Sequence, residues 1–583
     1  MNDTATPPSP DPVLVEVMGA ALSSLVEEMG ETLVRAAYSS NIKERRDCTA
    51  GLFDADGHML AQAEQASPIH LGSLIGVVSA VLERFPVEDI RPGDTFLSND
   101  PYSGGGSHLP DMVLVTPVFA DGRLTAWAAN LAHHADFGDR GHAHIFQEGV
   151  RIPPVRFARE GEIVDDVFQL VLTNCQVPAE RRADFRAQLA ANRLAVTRYG
   201  ELVERYGRAT MLETAAALLD YTERRTRAAI AEVPDGTYAF TDRFDCPELE
   251  DTELELRLRV TVDGDELHFD FAGNPGQVRA SVNMVRTALY ATVYYAVKTL
   301  VDPDIPSNAG LHRPIRIDAP LGSIVNCVEP AAVNGRTETC QRVVDLIHGA
   351  LAPAVPERVT AASNGANTGV HFSGWDHARG RYFVYLETIG GGSGARAGKD
   401  GLDGVQVHVT NTSNLPVEAL ETEYPLMVEA YELVPGSGGA GRTRGGMGIR
   451  RTVRVEDSRA GTGGKGTPSG DAVTSGDAGS PDGARDASGA DSGTGEADGV
   501  QFWLDTSRLR SRPWGLFGGL PGSSARVELS EGARPVVRGH TVLRPGDRVS
   551  VVTAGAGGYG DPAERDPAAA ERDTREGTTP PDA

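Results

Sequence analysis

The chain has 583 residues, of which 40% are hydrophobic and 23% charged, a composition typical of a globular protein with several cores. Acidic residues outnumber lysine and arginine by 81 to 55, and a net charge of −26 without any basic run excludes a typical nucleic-acid-binding protein. The five cysteines form no CxxC pair, and neither an 18-residue apolar span nor a signal-peptide pattern is found, so we expect a cytoplasmic protein without disulfides or membrane contact.

Helical and alternating patterns predict the elements of the first 240 residues. Apolar residues recur at helical spacing over residues 12–38, behind an Asp11 and Pro12 pair that is typical of a helix start. A β-hairpin is predicted from TAGLFDADGHMLAQA, and a second from MVLVTPVF and LTAWAANLAHH around the turn ADGR. Residues 177–233 contain few helix breakers and predict a long helical hairpin.

Later segments indicate further units and one low-complexity insertion. The segment ELELRLRVTVDGDELHFDFAG alternates across a DGD turn, and the helical pattern ASVNMVRTALYATVYYAVKTLV follows it. Residues 461–499 contain no aromatic residue, Leu or Ile, and seven acids against two bases leave a local charge of −5. Such a composition cannot bury enough apolar surface to offset the loss of chain entropy, so we predict a disordered insertion.

These patterns predict a multi-domain α+β fold with mixed sheets, β-hairpins and the long helical hairpin. We place the domain boundaries as follows: 1–240 for an N-terminal domain with the candidate metal site, 241–460 for a central α/β domain, 461–499 for the acidic insertion, and 500–583 for a β-rich C-terminal segment and tail.

A candidate metal site begins in the stretch NDPYSGGGSHLPD. His108 and Asp111 are three residues apart with Pro110 between them, so they belong to a turn from which both side chains can converge on one point. Imidazole and carboxylate together suit Zn, Mn and Fe. An isolated HxxD pair is common, however, and a histidine in a strand is more often a core residue.

Two other segments could complete this site. If the strands of the second hairpin pair, the two histidines of LAHHADFGD return to the end that carries His108. Spacing alone does not choose His133 over His134, because neighbouring residues of a strand point to opposite faces. A further ligand could come from KERRD, where Glu44 and Asp47 are about one helical turn apart.

The glycine-rich runs do not form a nucleotide-binding pattern. In TIGGGSGARAGKDG, Ser393 stands where a phosphate loop requires its first glycine, and Asp400 follows Lys399 in place of Ser or Thr. The runs PGSGGAGRTRGGMG and TAGAGGYGDP lack a strand and helix context, and we predict tight turns there.

Taken together, the motifs resemble those of the hydantoinase B family. The resemblance rests on NIKERRDCTAGLFDADG, SPIHLGSL, RPGDTFLSNDPYSGGGSHLPDMVLVTPVF, LAHHADFGD and QEGVRIPPVRF, and it continues through DFAGNPGQ, PAAVNGRTETCQ and GAGGYGDP. This family includes B subunits of ATP-dependent N-methylhydantoinase and of an enzyme acting on caprolactam, the C-terminal half of 5-oxoprolinase, and the α subunits of acetone and acetophenone carboxylases.

The resemblance implies a metal-dependent subunit of an ATP-dependent hydrolase that opens a cyclic amide such as hydantoin, 5-oxoproline or a related lactam. It implies one divalent Zn, Mn or Fe ion whose ligands are Asp47, His108, Asp111 and His133, with Glu44 as the reserve for the first. It also implies a hetero-oligomer with a hydantoinase A-type, actin-like ATPase subunit, which uses ATP and Mg to phosphorylate the carbonyl oxygen of the substrate.

Proton transfer and substrate choice are less constrained by the resemblance. His70 and His134 are the candidate catalytic residues for proton transfer, since an imidazole titrates near neutral pH. The loop at residues 137–146 is shorter than in relatives. Because the resemblance implies that this loop borders the substrate, the identity of the substrate stays open. Two alternatives are an α-type subunit of an ATP-dependent ketone carboxylase and a non-catalytic assembly subunit.

We predict that residues 461–499 can be replaced by a short Gly/Ser linker without loss of folding, metal content or ATP-dependent turnover. Closure of a long surface loop costs little more than closure of a shorter one, since each doubling adds only about 0.6 kcal/mol. Limited proteolysis of the intact protein should cut this segment first. Loss of assembly with the ATPase subunit on deletion would identify the insertion as a docking element instead.

Overall fold

The computed structural model of the chain describes residues 10–64, 67–135, 143–249, 252–458, 499–530 and 540–578. Residues 461–498 of the predicted insertion and 137–142 of the shortened loop lie outside these ranges. Within them the fold is α+β with antiparallel and mixed sheets, as predicted, and no described helix is long and apolar enough to cross a membrane. All five cysteines are described and are free thiols.

The first sheet has seven strands in the order β2-β1-β5-β4-β3-β6-β7. Its strands are β1 (Cys48–Asp54), β2 (Met59–Gln62), β3 (Thr95–Ser98), β4 (Asp111–Ala120), β5 (Arg123–His133), β6 (Val155–Arg159) and β7 (Glu162–Ile163). Both predicted hairpins are confirmed, because β1 pairs with β2 and β4 pairs with β5, each pair antiparallel.

Helices cover both faces of this sheet. They are α1 (Pro12–Ala36), α2 (Ser40–Lys43), α3 (His70–Ser73), α4 (Val77–Arg84), α5 (Ile145–Glu148), α6 (Asp165–Thr173), α7 (Pro178–Tyr206) and α8 (Arg208–Ile230). The long helices α1, α7 and α8 pack on one face through a core that includes Leu52 and Ala128, whereas α4 covers the other face over Phe53 and Trp127. The predicted first helix, with Asp11 as its N-cap, and the helical hairpin are confirmed.

A second sheet carries two helices that reach back to the first. Its strands, in the order β11-β10-β9-β8, are β8 (Gly236–Phe244), β9 (Leu254–Asp263), β10 (Glu266–Asp270) and β11 (Ile315–Asp318). The helices are α9 (Arg286–Val301) and α10 (Arg336–Leu351), and every residue of α10 is buried.

The predicted helix from Ala280 onward begins only at Arg286. The reason is Asn283, whose amide nitrogen donates to the carbonyl oxygens of Val278, Ala280 and Ala332 at 2.8–2.9 Å. These bonds hold the preceding segment in a non-helical conformation, a competition with helix formation that is typical of Asn.

Two more sheets form the C-terminal part. One is β13-β12-β16-β18 and the other β14-β15-β19-β17. Their elements are β12 (Thr368–Asp376), β13 (Arg381–Ile389), α11 (Val417–Glu423), β14 (Leu426–Leu433), β15 (Ile449–Val455), β16 (Val500–Asp505), β17 (Arg526–Leu529), β18 (His540–Leu543), β19 (Arg548–Val552) and α12 (Pro567–Glu576). Because β12 pairs with β16 and β15 with β19, both sheets run across the boundary predicted between 241–460 and 500–583.

The glycine-rich runs of this part pack backbone against backbone. The Gly446 amide donates to the Ser393 carbonyl at 3.0 Å, and a Cβ atom on Gly446 would lie 1.9 Å from the Leu402 carbonyl oxygen. Gly557 is similar, since its Cβ would lie 1.9 Å from the Trp514 carbonyl oxygen. Glycine is therefore required at these positions because neighbouring backbone segments approach each other closely, and not because of the tight turns that the sequence predicted.

Gly72 sets the distance between α3 and α9. A Cβ atom on Gly72 would lie 2.5 Å from the Cβ and N atoms of Ala291 and from the carbonyl oxygen of Thr287. We predict that Gly72→Ala lowers the free energy of unfolding by about 1–3 kcal/mol through overpacking.

The matched control is Gly200→Ala in α7, where a Cβ atom would meet nothing within 4 Å. Alanine is the better residue inside a helix, so this variant should be stabilised by about 0.5–1 kcal/mol. Urea unfolding of both variants checks the pair, and equal effects at the two sites would contradict the steric argument.

Candidate metal centre

Three neighbouring inner strands of the first sheet, β1, β5 and β4, have the ends that carry the candidate ligands on the same side of the sheet. Asp111, the first residue of β4, lies directly opposite His133, the last residue of β5. Strand β1 runs along the other side of β5, and the His133 amide donates to the carbonyl oxygen of Asp47, just before β1, at 3.0 Å. The predicted convergence of these segments is therefore present in the fold.

Strand alternation distinguishes the two adjacent histidines. His133 shares its face with Leu131, which packs in the core under α4, whereas His134 points to the face covered by α7. The His134 Nε2 atom lies 3.0 Å from Gln188 Oε1, and its ring packs against Phe185 at 4.6 Å between centroids. Only His133 lies on the side of Asp111, and its ring centroid is 4.9 Å from that of His108.

The two acids of KERRD are also separated by the structure. Glu44 directly follows the short helix α2 and has an exposed side chain, while Asp47 is 9% exposed and lines the same cavity as His133. The backbone turn that follows α2 explains the difference, because Arg46 has a positive φ of 55° and directs the chain from the surface into the sheet edge. The geometry thus favours Asp47 over Glu44.

The two carboxylate oxygens of Asp111 have different surroundings. Its Oδ2 accepts hydrogen bonds from the Ser107 amide and hydroxyl, both at 3.0 Å, and lies 2.9 Å from His108 Nδ1 and 3.3 Å from Arg336 Nη2. Its Oδ1 is buried and accepts no hydrogen bond from the described residues. One oxygen is therefore saturated by donors, and the other is directed to the candidate centre.

These neighbours keep Asp111 ionised. Burial by itself raises the pKa of a carboxyl group, but the charges of a protonated His108 and of Arg336 hold the pKa of Asp111 well below its usual value. The Ser107 hydroxyl also accepts a hydrogen bond from Arg336 Nε at 2.8 Å. Serine, arginine and aspartate thus form a buried, fixed group behind the centre.

His70 enters the centre from α3. Its Nε2 lies 3.7 Å from Asp47 Oδ1 and 4.0 Å from Asp111 Oδ1, and its side chain is 2% exposed. The segment before α3 is held in place by Val409, whose carbonyl oxygen accepts hydrogen bonds from the Ile69 amide and the Ser67 hydroxyl. A distant segment of the chain therefore fixes the position of this histidine.

The centre opens into a small, partly open cavity of about 40 Å³. Its lining residues are mostly polar: Arg45, Asp47, Ser67, Ile69, His70, His108, His133, Arg336, Thr337, Asn367, Leu386, Thr388, Thr410 and Thr412. A cavity of this size holds roughly three water-sized groups. A larger groove of about 530 Å³ lies on the outer side of Gly104, lined among others by Tyr102, Arg286 and Tyr290.

Several residues of this site were missed by sequence reasoning. The amide nitrogen of Asn41 lies 3.1 Å from His133 Nδ1 and donates to the His133 carbonyl oxygen at 2.6 Å. Arg45 and Asn41 occur in the motif NIKERRD, Ser107 in SGGGSH and Arg336 in PAAVNGRTETCQ. These motifs support the family resemblance, but no role at the site was predicted for these four residues. The motifs were the available signal, but no pattern of spacing connects residue 45 with residue 336.

Another histidine and acid group lies in the turn of the first hairpin. Possible ligand atoms of Asp54, Asp56 and His58 lie within 4.8 Å of one another at the surface. Asp54 Oδ1 accepts the amides of Asp56 and His58, and its Oδ2 lies 2.9 Å from His58 Nδ1. These contacts are those of a turn-stabilising aspartate.

Comparison with known proteins gives a consistent result over the whole chain. Residues 11–562 match the profile of the family described as hydantoinase B/oxoprolinase. An uncharacterized protein of Methanocaldococcus jannaschii, MJ0963, is 34% identical over 95% of this chain and 92% of its own. Caprolactamase subunit beta of Pseudomonas jessenii is 31% identical over 97% and 94%. Against 5-oxoprolinase 1 of Arabidopsis thaliana the identity is 32%, and the match spans 36% of that longer protein.

Two solved structures share the fold. The crystal structure of ATP-dependent caprolactamase from Pseudomonas jessenii matches with a TM-score of 0.84 and 28% identity, covering 98% of this chain and 95% of that one. Nucleotide-free acetone carboxylase matches with a TM-score of 0.84 at 18% identity, over 98% and 79% of the two chains. At that identity the second match shows the fold alone.

We predict a pH-dependent contribution of Asp111 to stability in the metal-free protein. The folded pKa is depressed, so the contribution is complete above the unfolded pKa of about 3.9 and is lost as the pH falls below it. Asp111→Asn leaves Arg336 buried without its carboxylate, which should cost about 3 kcal/mol at pH 7. The difference from wild type, measured by urea unfolding, should shrink as the pH falls below 4.

Asp318→Asn is the matched control for this measurement. Asp318 also contacts a histidine and an arginine, at 2.8 Å from His268 and 2.7 Å from Arg316, but its side chain is 47% exposed. Solvent screens such a pair, so this variant should change stability little at any pH. A difference for Asp111→Asn that grows as the pH falls below 4 would contradict the prediction.

Proposed function

The chain belongs to the hydantoinase B/oxoprolinase family, and from this premise we propose that it is the metal-dependent subunit of an ATP-dependent cyclic amide hydrolase. In this proposal a separate actin-like ATPase subunit uses ATP and Mg to phosphorylate the substrate, and the present chain carries out the hydrolytic steps. The relatives named as subunits support the need for a partner. The observation that carries the metal-dependent role is the buried Asp111 Oδ1, which accepts no hydrogen bond from the described residues.

The donor set fits a borderline divalent ion. Asp47 Oδ1 and Asp111 Oδ1 lie 3.7 and 4.0 Å from the Nε2 atom of His70, so both proposed carboxylate ligands face the same small space beside this imidazole. A mixed set of imidazoles and carboxylates suits Zn, Mn or Fe.

The residues proposed to hold the ion are Asp47, His108, Asp111 and His133. When bound, such an ion supplies Lewis-acid activation of the attacking water. The contacts around these ligands serve to orient them: Ser107 and Arg336 hold one oxygen of Asp111, and Asn41 holds the end of β5 at His133. Outer contacts of this kind are a regular feature of metal sites.

The chemistry explains why ATP is needed to open an unactivated amide. The amide oxygen attacks the γ-phosphorus of ATP in the partner subunit, which releases ADP and leaves a phosphorylated imidate. One water then adds to the imidate carbon, the ring C–N bond breaks with a proton delivered to nitrogen, and an acyl phosphate results. A second water attacks the acyl carbon, its C–O bond to phosphate breaks, and the amino acid and inorganic phosphate leave.

We assign the proton delivered to the ring nitrogen to His70. Its imidazole lines the cavity and faces both carboxylates, and an imidazole exchanges protons readily near neutral pH. The other sequence-based candidate, His134, contacts Gln188 and Phe185 on the opposite face of the sheet. In this proposal His134 positions the end of β5 rather than transferring a proton.

Reconstitution with the partner tests the proposal. The chain is co-expressed with a hydantoinase A-type ATPase subunit and assayed for ATP-dependent ring opening of hydantoin, 5-oxoproline and caprolactam, together with carboxylation of acetone. We expect ring opening of at least one cyclic amide by the complex. The isolated chain should neither open a lactam nor hydrolyse ATP, because an unactivated amide resists attack by water and the chain lacks the phosphate-loop pattern. Carboxylation of acetone without ring opening would establish the carboxylase alternative.

Metal content separates an active subunit from a silent assembly subunit. We predict about one transition-metal ion per chain by elemental analysis, and loss of most metal and most turnover in His108→Ala, because one ligand is removed. The control is His58→Ala, which removes an imidazole from the surface turn with Asp54 and should leave both unchanged. Full metal content in His108→Ala would exclude the proposed centre.

A further inference from the structure

Arg45 is a buried cation in the wall of the small cavity. The residue is 1% exposed. Its Nη1 donates to the Leu386 carbonyl oxygen at 3.1 Å and to the side-chain oxygen of Asn41, and its Nη2 donates to the Thr388 hydroxyl at 3.0 Å. These acceptors are neutral, and the buried Nε atom donates to no described residue.

The lack of a counter-charge distinguishes Arg45 from comparable side chains. The other buried arginines of the described part each have a carboxylate oxygen within 4.0 Å, and they are Arg181, Arg336, Arg342, Arg451 and Arg508. Among the described residues Arg45 has none. A buried charge without a partner is unfavourable. Its position on a cavity wall therefore indicates that an anion in the cavity supplies the missing charge.

Hydroxyl groups accompany the guanidinium. Thr388 and Thr412 both line the cavity, and their hydroxyl oxygens are in direct contact with each other. Thr388, near the end of β13, accepts a hydrogen bond from Arg45. Its hydroxyl therefore connects the guanidinium group to the hydroxyl of Thr412. Arginine with nearby hydroxyls is a common combination for binding the oxygens of phosphate.

The charge around the cavity favours a doubly negative group. The charges of Arg45 and Arg336 cancel those of Asp47 and Asp111, so a divalent ion in the proposed centre leaves two positive charges. A phosphoryl group carries a charge near −2 at neutral pH. The cavity also has room for roughly three water-sized groups, which is enough for the terminal oxygens of such a group.

We propose that Arg45, Thr388 and Thr412 form a phosphoryl subsite beside the metal centre. It holds the phosphoryl group carried on the substrate oxygen and, after ring opening, inorganic phosphate. This inference rests on the proposed function, in which the phosphoryl group stays bonded to the former carbonyl oxygen from ATP cleavage until the acyl phosphate is hydrolysed. The subsite anchors the intermediate through both hydrolytic steps, and Arg45 is thus a binding residue for the reacting group.

The geometry of Arg45 is prepared for this role before any ligand arrives. Its two terminal nitrogens are fixed by Leu386, Asn41 and Thr388, and its Nε atom has no acceptor among the described residues. A fixed guanidinium loses little conformational entropy on binding. Lysine at this position would keep the charge but not the fixed donor, so Arg45→Lys should restore binding only in part.

Direct binding of inorganic phosphate to the metal-loaded full chain tests the subsite. We expect wild type to bind phosphate in isothermal titration calorimetry, and Arg45→Met to bind it about tenfold or more weakly, since a charge-assisted contact is lost. The matched control is Lys43→Met, an exposed cation two residues earlier, which should bind phosphate like wild type. Wild-type affinity in Arg45→Met, or no binding by wild type, would overturn the proposal.

A second variant guards against indirect loss of the metal. Because Arg45 also contacts Asn41 behind His133, the metal content of Arg45→Met is measured in the same sample. Thr412→Val removes a hydroxyl of the subsite without touching Asn41, and it should weaken phosphate binding severalfold at full metal content. If Thr412→Val binds phosphate like wild type and Arg45→Met does so once reloaded with metal, the subsite does not exist.

The complex with the ATPase subunit distinguishes the two sources of the phosphoryl group. If the subsite holds the substrate-borne group, Arg45→Met lowers the number of rings opened per ATP hydrolysed, because the intermediate is lost to water. If it holds only released phosphate, that ratio is unchanged and only product inhibition by phosphate weakens. The phosphoryl part of the inference stands in both cases, but an unchanged ratio rejects its substrate-borne part.

The two proposals can fail separately. Phosphate binding that depends on Arg45, in a complex that opens no cyclic amide, would leave the subsite intact and reject the proposed function. If a complex opens the ring but neither its phosphate affinity nor its number of rings opened per ATP depends on Arg45, the proposed function stands and the subsite is rejected.

Discussion

The register between β4 and β5 is the constraint on which the site depends. Because Asp111 is paired with His133 and β1 runs beside β5, three side chains reach one face of the sheet at one edge. A shift of one residue in this pairing would turn every side chain of the strand to the other face. The apolar side chains further along these strands, Val113 and Leu131 among them, oppose such a shift because they are buried under α4. The core thus fixes the geometry of the centre.

The other walls of the centre are formed by segments that come later in the sequence and pack against this sheet. Helix α10 supplies Arg336 at its first residue and is buried along its whole length, with Asp345 and Arg508 paired at 3.0 Å further along. The loop after β13 supplies Thr410 and Thr412 and the backbone contacts that hold His70. The cavity is lined by residues of the first sheet, of α10 and of the sheet that contains β13, and the burial of its charged side chains strengthens their interactions and makes each unpaired group more costly.

Glycine serves this assembly by allowing close contact between backbones. At Gly72 it lets α3 approach α9, which brings His70 to the carboxylates. At Gly446 and Gly557 it lets neighbouring backbone segments of the C-terminal part come into contact. Sequence patterns assign such residues to turns because turns are the common use of glycine. The distinction from packing depends on which backbone lies opposite, and that is a property of the folded chain.

The sequence alone determined the elements with strong periodicity and the local pair at the centre. The first helix, both hairpins and the helical hairpin follow from apolar spacing, and His108 with Asp111 follows from their turn, because each is a property of neighbouring residues. Tertiary structure separated Asp47 from Glu44 by burial and His133 from His134 by the face of the sheet, since both differences depend on how the strand ends are covered. It alone brought Arg45, Thr412 and Arg336 to one cavity, because contacts between residues hundreds of positions apart arise from packing and leave no periodic trace in the chain.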